Sequence, residues 1–181
     1  VVTTQGVSPV DMVIMGIGVR PNVALAKQAG LEIGRTGAIK VDDHLRTSDP
    51  NIFAVGDCAE NVDLITGAPS YVPLGSTANK HGRVAAINIC GGEDTYPGIL
   101  GSAVCKVFDF CVGRTGLTER QARAGGFDVI TVQSPPPARA HYMPTVRTLL
   151  LKLAVERPSR TLLGLQRVAP GAGATPVDRA A

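Results

Sequence analysis

Tryptophan is absent from this 181-residue chain, and phenylalanine, tryptophan and tyrosine together make up 4% of it. Because 44% of the residues are apolar, a sizeable core is feasible, but it must be built from aliphatic side chains. Long hydrophobic runs are missing as well. The stretch "TLLLKLAV" is broken by Lys152 and is far shorter than the ~20 residues a membrane-spanning helix requires. No charged segment leads into an apolar core at the N-terminus, so a signal peptide is not expected. Charge of one sign is also scarce, with a net charge of +3. The basic residues are scattered with few aromatics among them, which argues against a nucleic-acid partner. The four cysteines, at 58, 90, 105 and 111, form no C-x-x-C pair and no metal-ligand spacing. They read as small buried hydrophobes in a reducing cytoplasm. His44, His81 and His141 each lack a second ligand nearby in sequence, so no metal site is expected and surface or helper roles are assigned to all three.

What is abundant is glycine, 21 residues, which points to tight turns and close backbone approaches. The chain opens on "VVTTQG" without a methionine, as if entering the middle of a fold. "VVTT" and "DMVIMGIGV" read as two strands, the second a nearly continuous apolar run suited to a buried position. A short helix is expected over "PNVALAKQAG", with Asn22 as N-cap and Gly30 as its stop. "GAIKV", "LRTS" and "NIFAV" are short extended pieces. A loop spans 61–73, and a helix capped by Ser76 or Thr77 runs through "STANKHGRVAAINIC". Composition shifts at "GGEDTYPG", the expected domain boundary. Beyond it, "SAVCKVFDFCV" reads as one long strand. Thr118 and Gln121 have capping-box spacing on a short helix. "FDVITVQ" is a further strand, "SPPPARAHYMP" a proline-rich loop, and "RTLLLKLAV" with "TLLGLQRV" a hairpin. The second half is therefore α+β, with a frayed small-residue tail.

Two stretches carry chemistry. In "NIFAVGDC", Gly56 allows a ligand to approach the backbone, and Asp57 offers an acceptor-only carboxylate. Neutral sugar hydroxyls suit that carboxylate, whereas a phosphate alone is repelled by it. An ordinary aspartate turn fits the same residues, and local chemistry leaves both readings open. In "VPLGSTANKHGR", the start of a helix presents free N–H groups and partial positive charge behind Gly75. These groups could meet a ligand carbonyl or anion, although an ordinary capped surface helix is the simpler reading of the segment alone. "MGIGVRPN" has Gly16 and Gly18 but fails the G-x-G-x-x-G pattern, because position 21 is proline. The Asp42-Asp43 pair reads as turn chemistry.

The ordered series "DMVIMGIGVRPN", "GAIKVDDHLRTSDPNIFAVGDCAE" and "PLGSTANKHGRVAAINI" resembles the flavin-dependent pyridine nucleotide–disulfide oxidoreductases. Within them it is most similar to the coenzyme A-disulfide reductase, NADH oxidase and persulfide reductase branch. The resemblance runs from residue 1 to about 168. It implies an incomplete α/β FAD/NAD(P)-binding Rossmann-like domain followed by an α+β dimerisation domain. Residues 1–19 would end the NAD(P)H-binding domain, with Gly16, Ile17 and Gly18 near the nicotinamide. Residues 20–93 would form the C-terminal segment of the FAD-binding domain. There Gly56 and Asp57 would meet the ribitol–pyrophosphate region of FAD, and Leu74, Gly75 and Ser76 its isoalloxazine edge. A helix start in that place would stabilise charge developing at the ring. Residues 97–181 would form a truncated interface domain that builds a homodimer. Tyr142 would reach the partner subunit's active site, and Asn79 would lie where a small thiol or disulfide such as coenzyme A disulfide approaches.

The sequence also departs from the family pattern. No segment here carries the first glycine-rich FAD turn, the NAD(P)H fingerprint or the redox-active cysteine, and Cys58 is assigned to packing. By this reading the chain is the C-terminal portion of an enzyme passing hydride from NAD(P)H through FAD to a small disulfide, persulfide or oxygen. The fragment alone is expected to bind FAD poorly. Two alternatives remain: a non-catalytic dimerisation or interaction module, and a ferredoxin reductase-like flavoprotein, which the "AHYMP" loop disfavours.

Overall fold

The computed structural model describes residues 1–138, 142–144 and 146–170. At the N-terminus, β1 (Val2–Thr3) and β2 (Gly6–Val7) form a small antiparallel hairpin. The expected strand over 11–19 does not form. The backbone there is irregular, and Met12, Ile14, Met15 and Ile17 are all more than 70% exposed. A buried strand needs a ladder partner on at least one side, and no described strand pairs with this segment.

The next unit is held by short bridges rather than long strands. Helix α1 (Ala24–Gln28) stops at Gly30, whose φ of +75° ends it as expected. Its N-cap is Val23, not Asn22; the Asn22 side chain only reaches the Ala24 amide at 3.5 Å. Arg46 of the second expected extended piece bridges Phe53 of the third, while Ile39 of the first bridges Ile33 and Ala59, outside the other two. Ala26, Ile39, Ala54 and Ala59 form the aliphatic core here, with Cys58 packed against it. The expected 61–73 loop contains a second small hairpin, β3 (Asn61–Val62) with β4 (Pro69–Ser70).

Helix α2 (Gly75–Ile89) follows, and its buried stripe is Thr77, His81, Val84, Ala85 and Asn88. This three-and-four spacing is what one helix face requires. Val84 and Ala85 pack with Leu45, Phe53 and Tyr96 in a second core. Asn88 ties the helix to both flanking loops. Its side chain donates to the His44 and Asp94 carbonyls (3.0 and 2.8 Å) and accepts from the Asp94 amide (2.7 Å).

The second half is a five-stranded antiparallel sheet in the order β5-β6-β9-β8-β7. The segment read as one long strand is a hairpin, β5 (Ala103–Val107) and β6 (Phe110–Gly116), turning at Phe108 and Asp109. Helix α3 (Glu119–Ala124) has the complete capping box between Thr118 and Gln121. Strands β7 (Val129–Ser134), β8 (Leu150–Glu156) and β9 (Leu162–Pro170) complete the sheet, the last two as the predicted hairpin. Ala122 of α3 packs with Leu117, Val129, Ala154 and Leu163 on one face. Gly164 is required there, because a Cβ would overlap the Leu117 carbonyl. The tail beyond 170 and His141 lie outside the described residues.

The cysteines differ from expectation. All four are free, but Cys90 and Cys105 are exposed and Cys58 and Cys111 half-buried. Cys90 sits at the C-cap of α2 and Cys105 on the edge strand β5, positions where neighbours cover only one side. Among the described residues no helix is long and apolar enough to cross a membrane.

Candidate functional site

The strand-like segment ending at Val55 enters a single 3-10 turn, Gly56–Cys58. Gly56 has φ +74°, a left-handed conformation that disfavours side chains, so glycine is required to make the corner. The corner leaves Asp57 exposed and turns Cys58 inward, where its thiol donates to the Val55 carbonyl at 3.4 Å. Tyr71 closes the turn from outside, its hydroxyl donating to the Asp57 carbonyl at 3.0 Å. Burial, the Asp57 carboxylate and Cys58 all raise the Tyr71 pKa, which keeps that donor protonated.

Helix α2 begins beside this turn. Leu74 is its N-cap in extended conformation and supplies no side-chain cap. The first helical bond runs from the Ala78 amide to the Leu74 carbonyl at 3.0 Å, so the amides of Gly75 and Ser76 precede the ladder. The caps expected at Ser76 or Thr77 are therefore not used: both residues lie inside the helix. No atom lies within 4 Å of where a Cβ on Gly75 would stand, so the helix end is open to a ligand. Ala78 is the contact between turn and helix, its Cβ 3.4 Å from the place a Gly56 Cβ would take.

The two halves of the site are joined underneath by His81, which the sequence offered as an isolated helper. It is fully buried at 0% exposure. The Gly56 amide donates to its Nδ1 at 3.2 Å, and its Nε2 meets the Asn61 side-chain oxygen at 3.1 Å. Tyr96 stands edge-on to the ring at 4.5 Å. Burial pushes the His81 pKa down, so the ring is neutral. Burial likewise raises the Tyr96 pKa, opposed by a hydrogen bond with Thr77. The signal for His81 was its place on the same helical stripe as Thr77, Val84, Ala85 and Asn88; its partners, 25 and 20 residues away, gave none.

The structure thus brings Gly56 and Asp57 against the start of α2. Leu74, Ser76 and Asn79 line a cleft of about 690 Å³ between α2 and residues 95–102, together with Lys80 and Arg83. Gly16, Ile17 and Gly18 are not brought to the site; Ile17 is 85% exposed and no atom approaches either glycine. Tyr142 is 90% exposed in the loop between β7 and β8. Asp42 accepts from the His44 and Arg46 amides (2.9 and 2.8 Å), which is turn chemistry.

Known proteins match this arrangement along most of the chain. The family profile described as pyridine nucleotide-disulphide oxidoreductase matches residues 1–78, and the profile for the dimerisation domain of that family matches residues 102–179. An NAD(P)H coenzyme A polysulfide/persulfide reductase of Pyrococcus horikoshii is 45% identical over 168 residues, 93% of this chain and 38% of the relative. An NADH oxidase of Methanocaldococcus jannaschii is 41% identical over 164 residues, 88% of this chain and 36% of that protein. Among solved structures, an NAD-dependent persulfide reductase from A. fulgidus superposes with a TM-score of 0.83 at 47% identity. That match covers 85% of this chain and 28% of the other. The chain thus spans 38% of the length of the first curated relatives it matches. From its two matching profiles and these relatives, the chain belongs to the pyridine nucleotide-disulphide oxidoreductase family.

Proposed function

We propose that these residues form the second FAD-binding segment and the dimerisation domain of a flavoprotein oxidoreductase. It would pass hydride from NAD(P)H through FAD to a small disulfide, persulfide or oxygen. The observation that carries this reading is the packing of the Gly56–Asp57 turn on the uncapped start of α2, with Ala78 at the contact. The donor set fits FAD. An exposed carboxylate accepts from neutral ribitol hydroxyls, and free amides at Gly75 and Ser76 donate to ring oxygens and favour negative charge there. When bound, FAD supplies the hydride chemistry itself. The chain's part is to hold the cofactor's hydroxyl arm at Asp57, orient the ring edge at Leu74–Ser76, and line the approach with Asn79. The substrate class, a thiol or disulfide of the coenzyme A type, is supported by the likeness to the coenzyme A polysulfide/persulfide reductase of Pyrococcus horikoshii. Residues 16–18 at the nicotinamide and Tyr142 acting in the partner's site belong to the same proposal.

The partner is a second copy of the chain. Helix α3 covers one face of the sheet, while Thr115, Leu165, Leu153 and Val132 stand opposite one another across β6, β9, β8 and β7 on the other. Val132 and Val104 on that face are 50% and 46% exposed, apolar surface that a dimer interface would bury.

The test is a spectral titration of the full-length flavoprotein. NADH is expected to bleach the flavin absorbance, and coenzyme A disulfide, a persulfide or oxygen to restore it. A purified protein with no flavin band, even after incubation with FAD, would overturn the reading.

A further inference from the structure

His81 touches neither the exposed face of Asp57 nor the open end of α2, yet both are fixed through it. With the Gly56 N–H donating to Nδ1, that nitrogen must be an acceptor, so the proton sits on Nε2 and is donated to Asn61. Asn61 is itself buried and committed, its amide donating to the Ala59 carbonyl at 3.4 Å. The geometry therefore admits one neutral tautomer. A second proton can enter only at Nδ1, where it would point at another donor.

We propose that His81 is a positioning residue and a proton-sensitive latch. Neutral, it holds the Gly56–Asp57 turn against α2. Protonated at Nδ1, it loses its acceptor and lets the turn go. The sign follows from burial, which lowers the folded-state pKa below the ordinary histidine value. The unfolded chain binds the extra proton first as pH falls. The latch is fully effective above about pH 6.5 and weakens as pH drops toward the lowered pKa.

Burial is the one cause of the His81 shift, and no charged group facing the ring adds to it. Tyr96 packs nearly perpendicular to the ring, with the two planes 79° apart. Asp42, Asp43 and Glu60 line the same cavity of about 230 Å³ as His81. Glu60 is occupied by the Thr36 amide and hydroxyl (2.9 and 2.7 Å), Asp42 by two amides, and Asp43 by the His44 ring at 2.8 Å. Asp57 and Cys58 lie on the turn itself. Lys80 and Arg83, on the same helix, line the other cleft.

The latch stands on the contacts of the two ring nitrogens and the burial of the ring; its consequence for cofactor retention rests on the proposed function. Nuclear magnetic resonance of the full-length protein tests it between about pH 7.5 and 5. In the wild type, the Gly56 and Asp57 amide resonances should titrate together with the His81 ring. In His81→Gln, which keeps an acceptor and a donor but does not titrate, they should stay put. FAD affinity should fall about tenfold over the same range in the wild type and less than about twofold in the variant. A wild-type Gly56 amide insensitive to pH, or the same titration in both proteins, would overturn the latch. Should the variant not fold, the wild-type ring nitrogens decide: a neutral ring with its proton on Nδ1 contradicts the proposal. A wild type that binds no FAD at any pH counts against the proposed function, and the amide titration still judges the latch.

Discussion

Gly56 is held at φ +74° by a corner that must deliver Asp57 outward and Cys58 inward, with Ala78 directly beneath it. Any side chain there takes the left-handed conformation at a cost of about 1–2 kcal/mol. Gly56→Ala should therefore lower unfolding stability by that amount in chemical denaturation, and an unchanged midpoint would show that the corner relaxes. His81→Leu should cost about 1–3 kcal/mol, because the half-buried Gly56 amide and the buried Asn61 oxygen would both lose their partner. The two residues were unequally legible. Glycine followed by aspartate after an apolar run announces a turn locally, whatever surrounds it. A histidine in a helix announces nothing until the fold brings residues 56 and 61 to its two nitrogens.

Among the elements, α3 shows how little context a helix start needs. Thr118 accepts from the Gln121 amide at 3.2 Å, and the Gln121 side chain accepts from the Thr118 amide at 3.0 Å. Thr118→Ala should cost about 1 kcal/mol, read from the thermal or denaturant midpoint. Glu119 then fastens α3 to the sheet through Lys152 of β8 (2.6 Å) and pairs within the helix with Arg123 (3.0 Å), hydrogen bonds that hold its pKa below the ordinary glutamate value. Its contribution is present above the ordinary glutamate range and is lost as pH falls through the lowered value. Glu119→Gln should flatten that part of the acid stability profile; a superimposable profile would show the carboxylate to be idle. Strand signals were less reliable than the cap. The hairpin β8–β9 was legible from two apolar runs around "ERPSR". The β5–β6 turn was hidden, because Phe108 at φ +49° is not a residue that marks a turn. Residues 11–19 have a buried strand's composition, but a strand is made by its neighbours, and none of those described pairs with it.

At the scale of the whole molecule, the chain divides its apolar surface between a sheet face covered by α3 and an opposite face that is open at Val132 and Val104. If the open face joins two copies, Val132→Asp should convert the dimer to monomer in analytical ultracentrifugation, since a buried unpaired carboxylate is costly. An unchanged mass would place the interface elsewhere. The site has the same two-part character: the Asp57 turn was readable from sequence, whereas its seating on the start of α2 depends on His81, Asn61 and Ala78 meeting in three dimensions. The central claim is that Asp57, so seated, holds the hydroxyl arm of FAD. Its most direct test is the FAD dissociation constant of Asp57→Asn against wild type in the full-length flavoprotein, followed by flavin fluorescence. Losing a hydrogen bond to a charged group costs about 1.5–3 kcal/mol, so affinity should weaken by about tenfold or more. Equal affinity in the two proteins would contradict the account.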